Sequence, residues 1–248
     1  MNTEPLKTER PRQICLAGQT HVAEGPHDQT GMYVMHHAFR RDLDRFQAAV
    51  RATPVDERDT WRALALRWER FAEVLHHHHT VEDEHIWPVM EHRIEELSGH
   101  SELAGPGGLE ALRAMADEHD LVDPALEACG RGFTAMAELP SDDQRNALDV
   151  HVTAMRSTLL DHLRHEETEA LPLLQRTLTA DDFAATERAA QRAYPLRAVP
   201  FLVPWVADGL PADVTARVLG EAGPAYRLLL RLCRPRYARA ERRAFAHA

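Results

Sequence analysis

The sequence predicts an all-α protein: an up-down-up-down four-helix bundle followed by a C-terminal helical extension. Three observations point there. Long segments carry apolar residues at alternating spacings of three and four, which keeps them on one face of a helix. Ala, Leu, Arg and Glu are abundant, and only 12 of the 248 residues are Gly. No stretch alternates apolar and polar residues over strand-like lengths, so nothing competes with helices for the core.

Residues 1–28 contain Pro5, Pro11, Gly18, Gly25 and Pro26 without a sustained period, and predict an irregular lead-in that wraps the surface. The bundle is placed at residues 29–178. Its first helix starts at Thr30 and aligns Met32, His36, Phe39, Leu43, Phe46 and Val50. After Thr53-Pro54, the run Trp61, Leu64, Trp68, Phe71, Leu75, His78, Glu82, His85 and Val89 predicts one long helix over roughly residues 56–97, bent by Pro88. The glycines between Ser98 and Gly108 mark a loop. Leu109, Leu112, Ala116, His119, Val122 and Leu126 mark a third helix, with a kink expected at Pro124. Ser141 and Gln144 are spaced as a capping box for the fourth, whose seam is Leu148, Val152, Met155, Leu159, His162, Glu166, Glu169 and Leu173. Residues 179–248 form the extension: a helix from Thr179, a break between Pro195 and Pro204, and one or two further helices that end in a basic tail.

Composition excludes several classes of function. No segment offers eighteen uninterrupted apolar residues, and the polar stretch Met1 to Arg12 lacks the layout of a secretory signal, so the chain is expected to be neither exported nor membrane-spanning. Cys15, Cys129 and Cys233 are too far apart to form a local redox pair or thiolate knuckle, which suits a reducing cytoplasm. A net charge of −10 argues against nucleic-acid binding. The charge is uneven, since residues 225–248 hold seven Arg against Glu241 alone, giving +6 there and −16 elsewhere. The basic tail is expected to pack on the chain's own acidic bundle or on a protein partner, ahead of a membrane surface or nucleic acid.

Histidine is the unusual residue: 13 of the 16 lie between His36 and His165. Imidazoles and carboxylates facing a helical core are costly unless paired or bound to metal, and here they occur on all four helices. His78 and Glu82 are one turn apart, with Pro88 six residues past the Glu. The pattern returns at His162, Glu166 and Pro172, 84 residues on at each position, while His36 and His119 are 83 apart. The chain therefore reads as two helix-hairpin halves with equivalent polar positions. Two such pairs plus two single His predict a dinuclear site with nitrogen and oxygen ligands, and the absence of thiolate favours iron, with manganese or zinc as alternatives.

The segments "MHHAFRRDL" from Met35, "HHTVEDEHIWP" from His78, "DEHDL" from Asp117 and "HLRHEETEALP" from His162 resemble, in order, the four helix signatures of the hemerythrin-like, or HHE cation-binding, domain family. The resemblance covers about residues 30–176. It implies a four-helix bundle around a non-heme di-iron centre, bridged by two carboxylates and an oxo or hydroxo group, with a position open to a small ligand. By position, His36, His78, His119 and His162 would be terminal ligands, and Glu82 and Glu166 would bridge. The oxygen-carrying members use five His, the fifth lying one turn on in the third helix. Asp123 stands there in this chain, so Asp123, His85 or a water is left to complete the sphere.

The remaining His are assigned more modest places. His37, His76, His77 and His79 are read as surface or supporting neighbours, and His165 as outward. His85 lies on the seam and is the candidate proton donor; Glu169 is a candidate acceptor for a ligand N–H. Trp61, Trp68, Phe71 and Phe46 are read as core, and Arg40 and Arg41 as partners of helix-surface acids. The leading expectation is a protein that binds or turns over dioxygen, peroxide or nitric oxide at two irons. A non-catalytic sensor or carrier, and an oxygenase whose extension builds an organic-substrate pocket, are the alternatives.

Overall fold

A computed structural model describes residues 10–97 and 107–248, and every regular element among them is helical. The expected loop from Ser98 lies outside the described residues as far as Pro106. Helix α1 (Thr30–Ala52) buries Phe39, Leu43, Phe46 and Val50 and stops at Thr53, where Pro54 restricts the preceding backbone to extended geometry. The indole N–H of Trp61 donates to the Pro54 carbonyl at 2.9 Å and pins the turn into α2 (Arg58–Val81).

The single helix expected over residues 56–97 needs correction. Helix α2 ends at Val81, a π-helical turn spans Glu82–Ile86, and α3 continues as Trp87–Leu97. A proline ring clashes with the carbonyl four residues back, here Glu84, and widening the turn before Pro88 relieves the clash without breaking the rod. The same device recurs in the second half. Helix α4 (Gly108–Glu138) runs through Pro124, and α5 (Asp142–His165) leads into a second π turn at Glu166–Ala170 and then α6 (Leu171–Thr177), with Pro172 again near its start. The two π turns are thus offset by the same 84 residues as the motifs that contain them. Ser141 caps α5 by accepting from the Gln144 N–H at 3.2 Å; the Gln144 oxygen makes no bond, so half of the expected capping box forms.

Helix α4 packs against α2 and α5, and α5 packs against α1. One apolar cluster includes Phe39, Phe46, Trp68, Phe71, Val122, Phe133 and Leu159, with Trp61 buried among them as expected. A second lies around Val81, Trp87, Met90, Met115, Ala170 and Leu173. His78 to Glu82, His119 and His162 to Glu166 fall between these two clusters along their helices, so the polar layer is walled by hydrocarbon on both sides.

The extension comprises α7 (Ala180–Ala193), α8 (Val199–Ala207), α9 (Ala212–Ala222) and α10 (Pro224–Ala244). A reciprocal capping box between Thr179 and Asp182 starts α7. Helix α10 packs on α8 and α2 through Tyr237, Glu241 and Ala244, while Arg231, Arg234, Arg236, Arg239, Arg242 and Arg243 face solvent. Its one acid makes the ionic contact: Glu241 accepts from the buried Arg67 at 2.6 Å. Arg67 also donates to Asp42, which takes a further hydrogen bond from the Trp205 indole at 2.7 Å. Arg41 pairs with Asp42, and Arg40 with Glu167 at 2.8 Å, so both arginines meet buried acids instead of the helix-surface acids expected for them.

The lead-in is irregular, and its described part is tied down at several points. Gln175 donates to the carbonyls of Ala23 and His27, and the Tyr33 hydroxyl accepts from the Ala23 N–H at 2.7 Å. A Cβ at Gly25 would stand 2.2 Å from the Gln175 side-chain oxygen, so only glycine allows this close approach. No described helix is long and apolar enough to cross a membrane.

Candidate metal centre

Two groups of buried side chains meet between the helices. His36, His78, Glu82 and Glu166 form one, and His79, Glu82, His119 and His162 form the other; within each group the potential ligand atoms lie within 4.8 Å of one another. Glu82 belongs to both. Its Oε1 is 3.1 Å from His78 Nε2 and its Oε2 is 3.5 Å from His119 Nε2. Glu166 Oε2 is 3.0 Å from His36 Nε2 and 4.0 Å from His162 Nε2.

A satisfied polar core would use these contacts as hydrogen bonds. Here the His36, His78, His119 and His162 Nε2 atoms, both nitrogens of His79 and both oxygens of Glu82 and Glu166 are buried without a hydrogen-bond partner among the described residues. Each such group left dry costs of the order of 1–3 kcal/mol. Their lone pairs converge on the same small volumes, which suits cations and suits little else.

The outer nitrogens explain the orientation. His36 Nδ1 donates to Glu167 at 3.0 Å, His119 Nδ1 to Asp83 at 3.0 Å, and His162 Nδ1 to Glu118 at 2.9 Å. An imidazole that spends its N–H on an outer carboxylate presents a bare Nε2 inward. Asp83 and Glu167 each follow the shared-layer glutamate of their π turn by one residue, so the two halves use matching braces. Glu167 is further held by Arg40 and by the Thr20 N–H at 2.7 Å, which connects the lead-in to the centre.

Burial dominates the proton affinities. It pushes His78 down to about 3, helped by the neighbouring His36, and lowers His79 and His162 in the same direction, so these rings are neutral and able to donate lone pairs. Burial also opposes charge on His36, yet Glu166 and Glu167 outweigh it and push that imidazole up to about 9. Glu82 is driven well above the carboxylate range by burial and by Glu166. Glu166 is held down at about 2, since the facing His36 overcomes its burial. Among the protein groups alone the layer therefore carries protons on His36 and Glu82 that a cation must displace.

The structure brings His36, His78, Glu82, His119, His162 and Glu166 together, as the helical spacing anticipated. It adds His79, which is only 3% exposed and whose ring stacks on His119 with centroids 4.0 Å apart. The assignment of His79 to the surface is thereby corrected. The signal was present as HHxxE, in which His78 and His79 precede Glu82 by four and three residues; the 84-residue offset hid it, because the matching position is Leu163.

Asp123 is corrected in the opposite direction. Its side chain is 53% exposed, lies in neither group and faces His76 at 3.8 Å. His85 and Glu169, both expected on the seam, are half-exposed and exposed respectively, and neither joins a group. The extra residue in each π turn rotates the downstream side chains about the helix axis, so Ile86 and Ala170 take the inward direction instead. The acceptor foreseen in Glu169 is supplied by Glu167. His165, read as outward, is half-buried and donates to Glu118 at 2.8 Å. The supporting acids Asp83, Glu118 and Glu167 had no signal in the helical period, since they stand beside the seam.

The model of the hemerythrin HHE cation binding domain matches residues 28–174. The chain belongs to this family. No curated protein and no solved structure matches it. Membership implies metal-ion binding, and the two groups give this HHE domain the side chains to do it. All seven converging residues lie within the matched region, whereas α7 to α10 lie beyond it.

Proposed function

We propose that this HHE domain holds two iron ions and binds or turns over a small oxidant: dioxygen, peroxide or nitric oxide. The observation that carries the reading is the sharing of Glu82 between two groups of buried, unpartnered donor atoms. One group offers two His and two carboxylates, the other three His and one carboxylate, a set that leaves hard and borderline cations such as iron favoured, with manganese or zinc as alternatives. The reading includes an up-down-up-down course for the four long helices, a metal-holding unit over residues 29–178 and a cytoplasmic location.

Bound iron would supply the electrons and the Lewis acidity for oxidant chemistry. The protein residues set its surroundings. His36, His78, His79, His119 and His162 would hold the ions, Glu82 would span them, and Glu166 would complete the first group. Asp83, Glu118 and Glu167 fix ring orientation, and the two hydrocarbon clusters wall the layer above and below along the helices. The phenol of Tyr194 remains protonated, because burial and the facing Glu82 carboxylate push its proton affinity up. Peroxide added to the iron-loaded chain tests the reading: consumption of peroxide, lost together with bound iron in Glu82→Ala, supports it. Full iron content with no consumption of peroxide, no dioxygen uptake and no nitric oxide binding would overturn it.

A further inference from the structure

A cavity of about 320 Å³ opens beside the first group and ends on His78 and Glu82. Water occupies about 30 Å³ in the liquid, so the space holds on the order of ten waters and far exceeds what a diatomic ligand or peroxide needs. One wall comes from the metal-holding helices, through Met32, Met35 and Val81. The other comes from the extension, through Phe183, Ala190, Tyr194 and Leu202, with Leu196 and Tyr226 exposed at the mouth.

The two halves of the chain differ at this point. Met35 and Glu118 are 83 residues apart, as are His36 and His119. Glu118 braces His162 and His165, closing that half with a carboxylate. Met35 stands at the equivalent sequence position, offers no carboxylate, and lines the cavity together with His78. Mostly apolar walls with few polar groups are the usual build of an organic-molecule site. No Lys or Arg lines it among the described residues, and its charged groups are the acids Glu82 and Glu187. The Tyr194 hydroxyl makes no hydrogen bond to a described residue, which leaves a donor free inside the cavity.

We infer that this cavity is a binding site for a neutral, mostly apolar organic molecule carrying a hydroxyl or carbonyl oxygen, held with one end against the His78 and Glu82 side of the metal layer. The inference rests on the metal reading only for what lies at the cavity floor. Among the protein side chains, anionic molecules are disfavoured by the acidic Glu187 and by the lack of a lining Lys or Arg among the described residues to receive them.

Equilibrium dialysis with 2-naphthol, 2-naphthoate and 2-naphthylmethylammonium tests it, with metal content measured on the same samples. The expected result is about one 2-naphthol per chain, with both charged analogues at least about tenfold weaker on the chelator-treated chain because their charge must be desolvated. Gly31 lines the cavity and a Cβ there meets nothing within 4 Å, so Gly31→Trp adds bulk at this wall without a clash at its Cβ. Gly31→Trp and Ala190→Trp are each expected to weaken 2-naphthol at least about tenfold while metal content and helicity stay unchanged. A chain with full metal content that fails to bind 2-naphthol, or a chelator-treated chain that binds 2-naphthoate as tightly as 2-naphthol, overturns the inference and leaves the metal reading standing. Unchanged binding in both tryptophan variants also overturns it. Tight, Trp-blocked 2-naphthol binding by a chain that takes up no metal supports the cavity and sinks the metal reading alone.

Discussion

Two buried polar regions lie in the same helical core and are built on opposite plans. Around Arg67, both oxygens of Asp42 and both of Glu241 have donors: Arg41, Arg67 and the Trp205 indole serve Asp42, and Arg67 and Arg45 serve Glu241. The guanidinium also lies 4.9 Å from the Phe201 ring centroid. Opposite charges meet, and the effect is to fasten α8 and α10 onto α1 and α2. Around Glu82, by contrast, five imidazoles and two carboxylates turn their ligand atoms toward one another, with no Arg, Lys or Trp donor among them to balance the acceptors. Burial and charge are common to both regions; the pairing distinguishes a clamp from a binding site.

That comparison can be broken by substitution. Glu82→Ala removes the residue common to both groups, and elemental analysis should find most of the metal gone, whereas Asp42→Ala should keep it. The same Asp42→Ala variant leaves Arg67 partly unpaired in a dry site, a change that typically costs about 3–5 kcal/mol, readable by chemical denaturation. If Asp42→Ala loses metal and keeps stability, the two plans have been assigned to the wrong regions.

His79→Ala should lose about half of the bound metal, because one of the two groups loses one of its three imidazoles. Asp123→Ala and His37→Ala should lose none. Glu118→Gln should weaken metal binding by about 10–100-fold, the usual effect of removing a carboxylate behind a ligand His. Calorimetric titration with zinc measures this, and an unchanged affinity would show that Glu118 does not orient His162.

Acid should act on the same layer. Burial keeps His78 at about 3 and lowers His79 and His162, so the folded chain refuses protons that an unfolded chain accepts below 6.5. Stability from these rings, and the metal they hold, are therefore full above that value and lost progressively as the pH falls from it toward about 3. His36 runs the other way in the metal-free chain: with its affinity raised to about 9, its contribution is present below 6.5 and fades as the pH rises through about 9. Chelator-treated and metal-loaded samples melted across this range should differ most near neutrality and converge in acid.

Much of this was legible in the sequence. The three-and-four spacing placed the four long helices, because a buried helical face cannot avoid that period. The repeated HxxxE with its proline six residues on, together with the single seam residues His36 and His119, located six of the seven converging residues. Three features escaped. A π turn adds a residue that no period announces, so His85 and Glu169 were aimed inward when the chain had already rotated them out. His79 broke the internal symmetry used to read its neighbours. The clamp joins Asp42 and Arg67 to Trp205 and Glu241 across the whole chain, and a contact of that range leaves no local pattern.

The central claim is that the unpaired layer holds two cations, and counting them is its most direct test. Elemental analysis of the chain purified after iron supplementation should give about two metal ions per chain, since two groups sharing Glu82 exceed the needs of one ion. One ion, or none, would contradict it.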